Sequence, residues 1–315
     1  MNSWIPVGAA ASTAPTLDPP VLTDTSPDSF SQAFISEDGV PNNRARVLGG
    51  GTAINVGFYS RAQPLFIRQL GLDEALVEDS YKWVERKLVY RPNLLQWQSA
   101  VRNGLPEAGV LPYNGFTYHH INGTKIGGTI LDRNGYRHTA ADLLEYADPK
   151  RIKVYVHAVV NKIMFTAQDG SKPKAQGVIF YDARGERHTV LLKNGWRSEI
   201  ILAAAAIGSP QLLLLSGIGP TSQLEPLGIE VVRNKTMVGQ GMGDPPSNGL
   251  VIPSPLPIEL ALATTVGITK FGSYIESACG YDFTALYGSA SQTRTLPKNV
   301  TASFTKVYGN KDFGQ

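Results

Sequence analysis

The sequence predicts an α/β protein, and three observations lead to that class. Apolar residues recur at helical spacing in the first half, at residues 73–89 and 93–108. Short β-type runs follow in the second half. Two glycine-bearing stretches, residues 46–59 and 205–220, mark places where the backbone must bend or approach another group closely. The 315 residues suffice for about two domains of roughly 150 residues each.

The composition argues against several classes of partner. The formal net charge is only +3 and the 29 basic residues are scattered, which speaks against a nucleic-acid partner. No apolar run reaches about 18 residues, so no membrane span is predicted. The single cysteine, Cys279, excludes an internal disulfide and a multi-cysteine metal site, and a bystander thiol is favoured over a catalytic one. The oligomeric state stays open.

The compartment is also left open by the sequence. Residues 1–17 contain no basic residue, and Pro6 and Pro15 interrupt the apolar stretch, so no secretory signal peptide is visible. Asn122, Asn234 and Asn299 nevertheless begin Asn-X-Thr triplets, which would suit a protein of the secretory pathway.

Along the chain, residues 1–30 are rich in Pro, Ser, Thr and Ala and predict an extended or disordered leader. The two helices at 73–89 and 93–108 come next. Thr139 begins a capping-box-like start of a third helix, which should stop at Asp148-Pro149. Arg184-Gly185 supplies a turn between β-type runs. These runs are predicted at residues 152–160, 162–165, 177–181, 189–192 and 199–204.

The second glycine-bearing stretch reads as a strand, a tight turn and a helix. Residues 200–206 are apolar throughout, as in a strand buried on both faces. Ser209 suits an N-cap and Pro210 the first helical position of a helix at 211–215, which Gly217 should end. Such a helix start can present backbone amides to an anionic ligand. A plain strand-to-helix crossover is the alternative, and the spacing does not decide between them.

The first stretch makes a poor strand and a poor helix. Gly49-Gly50-Gly51 are followed by Thr52 and Asn55, which offer a hydroxyl and a side-chain amide. A bend that lies against a ligand is favoured over a flexible loop, because apolar residues resume immediately at Ile54, Val56 and Phe58. Together, the two stretches suggest a large cofactor held against main chain.

Both stretches resemble the signature regions of the glucose–methanol–choline (GMC) flavin oxidoreductases, in order and in spacing. Three intervening motifs, at residues 113–117, 123–130 and 138–144, resemble the plant branch that contains mandelonitrile lyases and HOTHEAD-like proteins. The resemblance extends from about residue 31 to residue 278.

The resemblance implies an FAD cofactor and a small-molecule substrate. The implied reaction is oxidation of the CH–OH group of an alcohol with hydride transfer to flavin N5, or cleavage of a cyanohydrin in the lyase subset. Val160 would touch the adenosine half of FAD through its backbone. Contacts with the cofactor are further implied for the residues of the first stretch: Val47, Gly50, Gly51, Thr52, Asn55, Val56, Gly57 and Phe58.

By the same resemblance, the fold is a partial doubly wound FAD-binding domain with an antiparallel sheet as the substrate half. The FAD-binding portion would comprise residues 31–70, 150–166 and 196–245. The substrate portion would comprise residues 71–149, 167–195 and 246–280. Residues 281–315 form a divergent tail.

The sequence also departs from the family pattern. Ala205 stands where the family has glycine or serine, and Asp244-Pro245-Pro246 loses an amide donor in a cofactor-facing loop. No G-x-G-x-x-G fingerprint precedes Arg46, so the chain is expected to be truncated at both ends.

All five histidines lie upstream of the segment that carries the active-site histidine in the family, so no catalytic residue is assigned. No metal site is expected at the His119-His120 doublet. Solvent-facing or satisfied roles are favoured for His138, His157 and His188. The alternative to an active flavoenzyme is therefore a catalytically inactive fragment.

Overall fold

The computed structural model describes residues 29–37, 39, 41–166, 172–243, 247–253, 258–259, 261–281 and 302–308. The chain divides into two compact units. The first unit contains Met1–Arg151 and Pro245–Gln315, and the second contains Ile152–Asp244. The predicted leader, most of the predicted tail and the Asp244-Pro245-Pro246 triplet lie outside the described residues. The division into cofactor and substrate portions concerns ligands and stays a prediction.

The first unit is built around a six-stranded sheet. Its strand order is β12-β15-β14-β13-β5-β4, antiparallel except for the parallel pair β4–β5. Two short antiparallel pairs, β1–β2 and β3–β6, accompany the sheet. With strands numbered along the whole chain, the bounds are β1 Ser31–Ile35, β2 Pro41–Ala45, β3 Phe58–Tyr59, β4 Tyr113–Phe116, β5 Gly123–Ile126, β6 Gly128–Thr129, β12 Ser247–Pro253, β13 Thr265–Ile268, β14 Tyr274–Tyr281 and β15 Ala302–Tyr308.

The two predicted helices of the first unit are confirmed. They are α2, Glu74–Leu88, and α3, Gln96–Glu107, and a short α1, Pro64–Gln69, precedes them. Asp73 caps α2 by accepting a hydrogen bond from the Leu76 amide at 3.0 Å. The predicted Thr139 cap is also present, although the helix that it begins, Ala140–Tyr146, is a 3-10 helix.

Helix α3 is fastened to the sheet by a buried amide, Gln98. Its Nε2 donates to the carbonyl of Ser277 at 2.8 Å, and its Oε1 accepts from the Thr265 amide at 3.0 Å. Because a buried amide group must be hydrogen-bonded to offset the cost of its desolvation, this fit fixes the helix in one position on the sheet. The core of the unit lies between α3 and strands β5, β13 and β14.

The second unit contains a three-stranded antiparallel sheet, β7-β8-β9, and a parallel pair, β10–β11. The β-type runs at 162–165 and 177–181 are confirmed within β7 and β8, the run at 189–192 is confirmed up to residue 191 in β9, and Gly185 forms the predicted turn with φ +79°. The bounds are β7 Val159–Thr166, β8 Lys174–Tyr181, β9 Arg187–Leu191, α4 Ala205–Leu215, β10 Ile218–Gly219, α5 Thr221–Leu224 and β11 Arg233–Asn234.

Two β-type predictions of the second unit are wrong. Residues 152–158 are not a strand, because β7 begins only at Val159. Residues 199–204 are not a buried strand either, since Ile201 is 80% exposed. An apolar run makes burial favourable but cannot supply the neighbouring strands that a ladder needs.

The helix expected at residues 211–215 begins earlier, at Ala205. Pro210 therefore lies inside α4 and is not its first residue. Ser209 is also internal, and its Oγ accepts a hydrogen bond from the Ala204 amide at 3.0 Å. The predicted end at Gly217 is confirmed, with φ +82°.

The mixed α/β class and the antiparallel sheet are confirmed. Within the described residues, no helix has the length and apolar character needed to cross a membrane.

Candidate functional site

The first glycine-bearing stretch forms a bend between β2 and β3. Its centre is a single 3-10 turn, Gly50–Ala53. Gly49 precedes this turn with φ +95°, and Gly50 begins it with φ +56°. Gly57 leads into β3 with φ +79°. L-residues with a side chain rarely adopt these conformations, so the glycines at the three positions are required by the backbone itself.

Side chains of the bend hold it in shape. Thr52 Oγ1 donates to the carbonyl of Gly49 at 2.6 Å and accepts from the Ala140 amide at 2.9 Å. Asn55 Oδ1 accepts from the Gly57 amide at 2.9 Å and from Arg137 Nη1 at 2.8 Å. The hydroxyl and the amide oxygen that the sequence offered to a ligand are thus engaged within the protein. They make the bend rigid and leave Asn55 Nδ2 as a donor on an exposed residue.

Space around the glycines differs sharply along the bend. A Cβ added to Gly49 would lie 2.7 Å from Thr139 Oγ1, so packing excludes a side chain there. A Cβ added to Gly50 or Gly51 would meet nothing within 4 Å. Gly51 also lacks a positive φ, so neither the backbone nor packing against the residues that the structure describes explains this glycine. Among the described residues, the surface above Gly50 and Gly51 is open, so the main chain there is accessible to a ligand.

Phe58 and Tyr59 form β3 at the end of the bend. The ring of Phe58 occupies the place that a side chain at Gly127 would take, because a Cβ there would lie 2.3 Å from Phe58 Cζ. Phe58 also packs edge-to-face on Tyr274, with 6.4 Å between ring centroids. Val47, Val56 and Phe58 are half-buried and Gly57 is buried. The residues between Val47 and Phe58 that are predicted to contact the cofactor therefore lie together in one unit.

A charged network beside β3 was not predicted from the sequence. Arg61 forms two hydrogen bonds with Glu85, from Nε at 2.6 Å and from Nη2 at 2.7 Å, and Tyr59 donates its hydroxyl to Glu85 at 2.9 Å. Burial alone would raise the pKa of Glu85, but the hydrogen bonds from Arg61 and Tyr59 lower it below its ordinary value. Burial and the bond to Glu85 raise the pKa of Tyr59. The network ties β3 to helix α2.

Lys125 is a second residue that sequence reasoning missed. It lies on β5 with a relative exposure of 0%, and its Nζ donates to Ser60 Oγ at 2.7 Å and to the carbonyl of His119 at 2.6 Å. The Nζ also lies 5.7 Å from the centre of the Phe58 ring. Burial lowers the pKa of Lys125 to about 8.

The second glycine-bearing stretch and Val160 belong to the other unit. Val160 lies on β7, paired with Phe180, and is 37% exposed. Ala205, the residue that departs from the family pattern, has φ +63° at the start of α4. Gly217 is packed closely, because a Cβ there would lie 2.3 Å from the carbonyl oxygen of Glu230.

Two of the histidines lie beside an aspartate, and a third lies in a turn. His138 Nδ1 lies 2.8 Å from Asp142 Oδ2, and His188 Nε2 lies 2.9 Å from Asp182 Oδ2. His157 is exposed in a turn with φ +54°, and not in the β-type run expected there.

The doublet and the cysteine complete the inventory. His119 is exposed, and His120 stacks on Tyr274 with 6.0 Å between ring centroids. Cys279 is fully buried, and burial raises the pKa of its thiol to about 12, as suits an inert side chain.

Comparison with known proteins identifies relatives for most of the chain. The model of the GMC oxidoreductase family matches residues 39–246. Protein HOTHEAD from Arabidopsis thaliana is 55% identical over 260 residues, which cover 82% of this chain and 44% of that protein. The (R)-mandelonitrile lyase-like protein of the same plant is 49% identical over 263 residues, which cover 82% of this chain and 47% of that protein. The chain thus spans less than half the length of these relatives.

A solved structure shares the fold. Formate oxidase from Aspergillus oryzae RIB40 superposes with a TM-score of 0.70 and 16% sequence identity. The match covers 92% of this chain and 64% of that one.

Proposed function

Because the chain belongs to the GMC oxidoreductase family, we propose that its bend at residues 47–58 lies against the flavin of FAD. FAD is the cofactor of this family. The cofactor-contacting residues would be those implied by the resemblance, namely Val47, Gly50, Gly51, Thr52, Asn55, Val56, Gly57 and Phe58, with Val160 at the adenosine half.

Gly51 is the observation that carries this assignment. A side chain there would meet none of the residues that the structure describes and would not strain the backbone, yet the position is glycine inside a bend held rigid by four hydrogen bonds. A ligand that approaches the main chain closely gives the missing reason. The rigid bend also lowers the entropy lost when the ligand binds.

The reaction that we propose is oxidation of the CH–OH group of a small alcohol, in which FAD supplies the hydride acceptor. The residues of the bend orient the flavin and exclude water from one side of it. A cyanohydrin is the second substrate class, since a relative is named as mandelonitrile lyase-like. No catalytic residue is assigned within this chain.

A second candidate function is that this chain by itself binds FAD but does not catalyse a reaction. The observation that favours it is coverage, because the chain spans 44% and 47% of its two plant relatives. Catalytic groups of a full-length relative can lie in the part that the alignment does not cover.

The test is purification of the chain followed by a visible spectrum in the presence of added FAD. Bound flavin that bleaches on addition of an alcohol supports the oxidase. Release of cyanide from mandelonitrile without bleaching supports the lyase. Bound flavin with neither reaction supports the binding-only candidate. A chain that remains colourless after incubation with excess FAD contradicts the proposed cofactor site.

A further inference from the structure

Lys125 is a buried cation that has no acidic partner among the described residues. Among the residues that the structure describes, none of the ion pairs includes it, and both atoms that accept its hydrogen bonds are neutral oxygens, a serine hydroxyl and a main-chain carbonyl. Burying an ammonium group without a counter-ion is costly. A lysine at this position on a core strand therefore calls for a reason beyond packing.

The hydrogen-bond directions around Lys125 are set by its neighbours. Ser60 Oγ lies 3.1 Å from the carbonyl of Tyr118 and 3.4 Å from that of Arg61, and since carbonyls only accept, it donates its single hydrogen to them. Ser60 must then accept from Lys125. Since a carbonyl can only accept, Lys125 also donates to His119. Both bonds use protons that lysine alone supplies, so the amine acts as a donor clamp between two segments of the chain.

The hydrogen bond from Lys125 to Ser60 fastens the end of β3, the strand that follows the bend at residues 47–58. Ser60 follows Phe58 and Tyr59 directly, and β3 is only two residues long, with a single short partner in β6. Lys125 holds this strand at Ser60 and lies over the ring of Phe58 at 5.7 Å, within the range of a cation–π contact. Gly127, two residues further along the chain, leaves the space that the Phe58 ring fills.

Other charged groups around the clamp are already paired. Glu85 is bound by Arg61 and Tyr59. The charge of Lys125, after burial, lowers the pKa of the neighbouring His120. His120 in turn stacks on Tyr274, which contacts Phe58. Among the described residues of this cluster, Lys125 thus carries a charge without a counter-ion, and it lies beside Phe58 at the end of the bend.

We propose that Lys125 is a positioning residue for FAD binding, which fixes the segment from Gly57 to Ser60 through Ser60 and the Phe58 ring. This inference rests on the proposed function for its consequence, but the positioning itself can be measured without cofactor. The position of this segment matters because residues that contact a cofactor must be held closely in place, and small displacements weaken binding.

The experiment compares Lys125→Met, Ser60→Ala and the surface control Lys82→Met in the full chain. Methionine keeps an apolar stem of similar length and removes the buried charge, so we expect no loss of global stability in urea denaturation. Amide hydrogen exchange in a peptide spanning residues 57–62 should quicken by about tenfold in the Lys125 and Ser60 variants and stay unchanged in the control. The Arg61 amide, which donates to the carbonyl of Tyr118 at 2.8 Å, is the central reporter.

FAD titration supplies the second measurement. The Kd for FAD should rise by about tenfold in Lys125→Met, with a shift of the visible flavin band that a purely structural role would not produce. The double variant should be no worse than the worse single variant, because both act through one contact. Additive losses contradict the clamp.

The two proposals fail in different ways. A wild-type chain that binds no FAD contradicts the proposed function, while the exchange measurement still decides the role of Lys125. Unchanged exchange at residues 57–62 overturns the positioning role even when FAD binds. If Lys125→Met does not fold, Ser60→Ala decides alone: faster exchange supports the clamp and unchanged exchange overturns it.

Discussion

The two glycine-bearing stretches look alike in sequence but owe their glycines to different causes. In the second stretch, Gly217 is fixed by a positive φ and by the carbonyl of Glu230, so the protein's own packing explains it. In the first stretch, Gly49 is explained in the same way by Thr139, whereas Gly51 faces open space with no strain. Within a bend fixed by hydrogen bonds, a glycine that neither the backbone conformation nor the described neighbours require is the better indicator of a ligand.

The largest effect should come from the packed glycine. Gly217→Ala places a Cβ against the Glu230 carbonyl and forces an L-residue to φ +82°, and we expect a loss of about 3 kcal/mol in the free energy of unfolding. Urea denaturation measures it. Gly228→Ala is the matched control, because Gly228 has φ +68° and open space. It should lose only about 1 kcal/mol, the cost of the backbone conformation alone. Equal losses would remove the packing explanation.

The open glycine should behave in the opposite way. Gly51→Ala should change the free energy of unfolding by less than about 0.5 kcal/mol, because nothing lies within 4 Å of the new methyl group. It should raise the Kd for FAD about tenfold, or about 1.4 kcal/mol, and Gly51→Val should raise it further.

Gly104→Ala is the control for this prediction, since Gly104 is equally open but lies in helix α3. It should leave FAD binding unchanged. If Gly51→Ala also leaves the Kd unchanged, the bend is not a flavin contact.

Substitutions of Asn55 can distinguish its role in holding the bend in shape from a direct contact with FAD. Asn55→Asp keeps an oxygen for the Gly57 amide and for Arg137, so stability should hold while FAD binding weakens through loss of the Nδ2 donor. Asn55→Ala removes the acceptor and should also lower the free energy of unfolding by about 1 kcal/mol. Denaturation and FAD titration of both variants distinguish the roles. Full FAD affinity in Asn55→Asp would show that this donor does not touch the cofactor.

The smallest effect should be a gain in stability from a substitution in the second glycine-bearing stretch. Ala205 has φ +63°, a conformation that costs an L-residue about 1 kcal/mol relative to glycine. Ala205→Gly should therefore stabilise the fold by up to that amount in thermal or urea denaturation. Ala206→Gly, one residue further into α4, should instead destabilise it by about 0.5 kcal/mol. A loss of stability in Ala205→Gly would mean that its methyl group contributes packing.

Local patterns predicted the parts of the fold that depend on neighbouring residues. Helices α2 and α3, the Thr139 cap, the Gly185 turn and the end of α4 at Gly217 all follow from helical spacing, cap chemistry or the conformational freedom of glycine. The start of α4 was misplaced because Ser209-Pro210 matches a helix start, while the helix in fact begins at Ala205. The sequence carries no local sign that a residue other than glycine adopts a positive φ there.

The amino-acid sequence by itself determined the family with its FAD cofactor and the position of the glycine bend, because family motifs and runs of glycine are visible in the order of neighbouring residues. The tertiary structure decided which residues shape that bend. Arg137 reaches Asn55 across 82 positions of the chain, and Lys125 reaches Ser60 across 65. Hydrogen bonds at such separations depend on how strands and turns fold back on one another, and no pattern of adjacent residues encodes them.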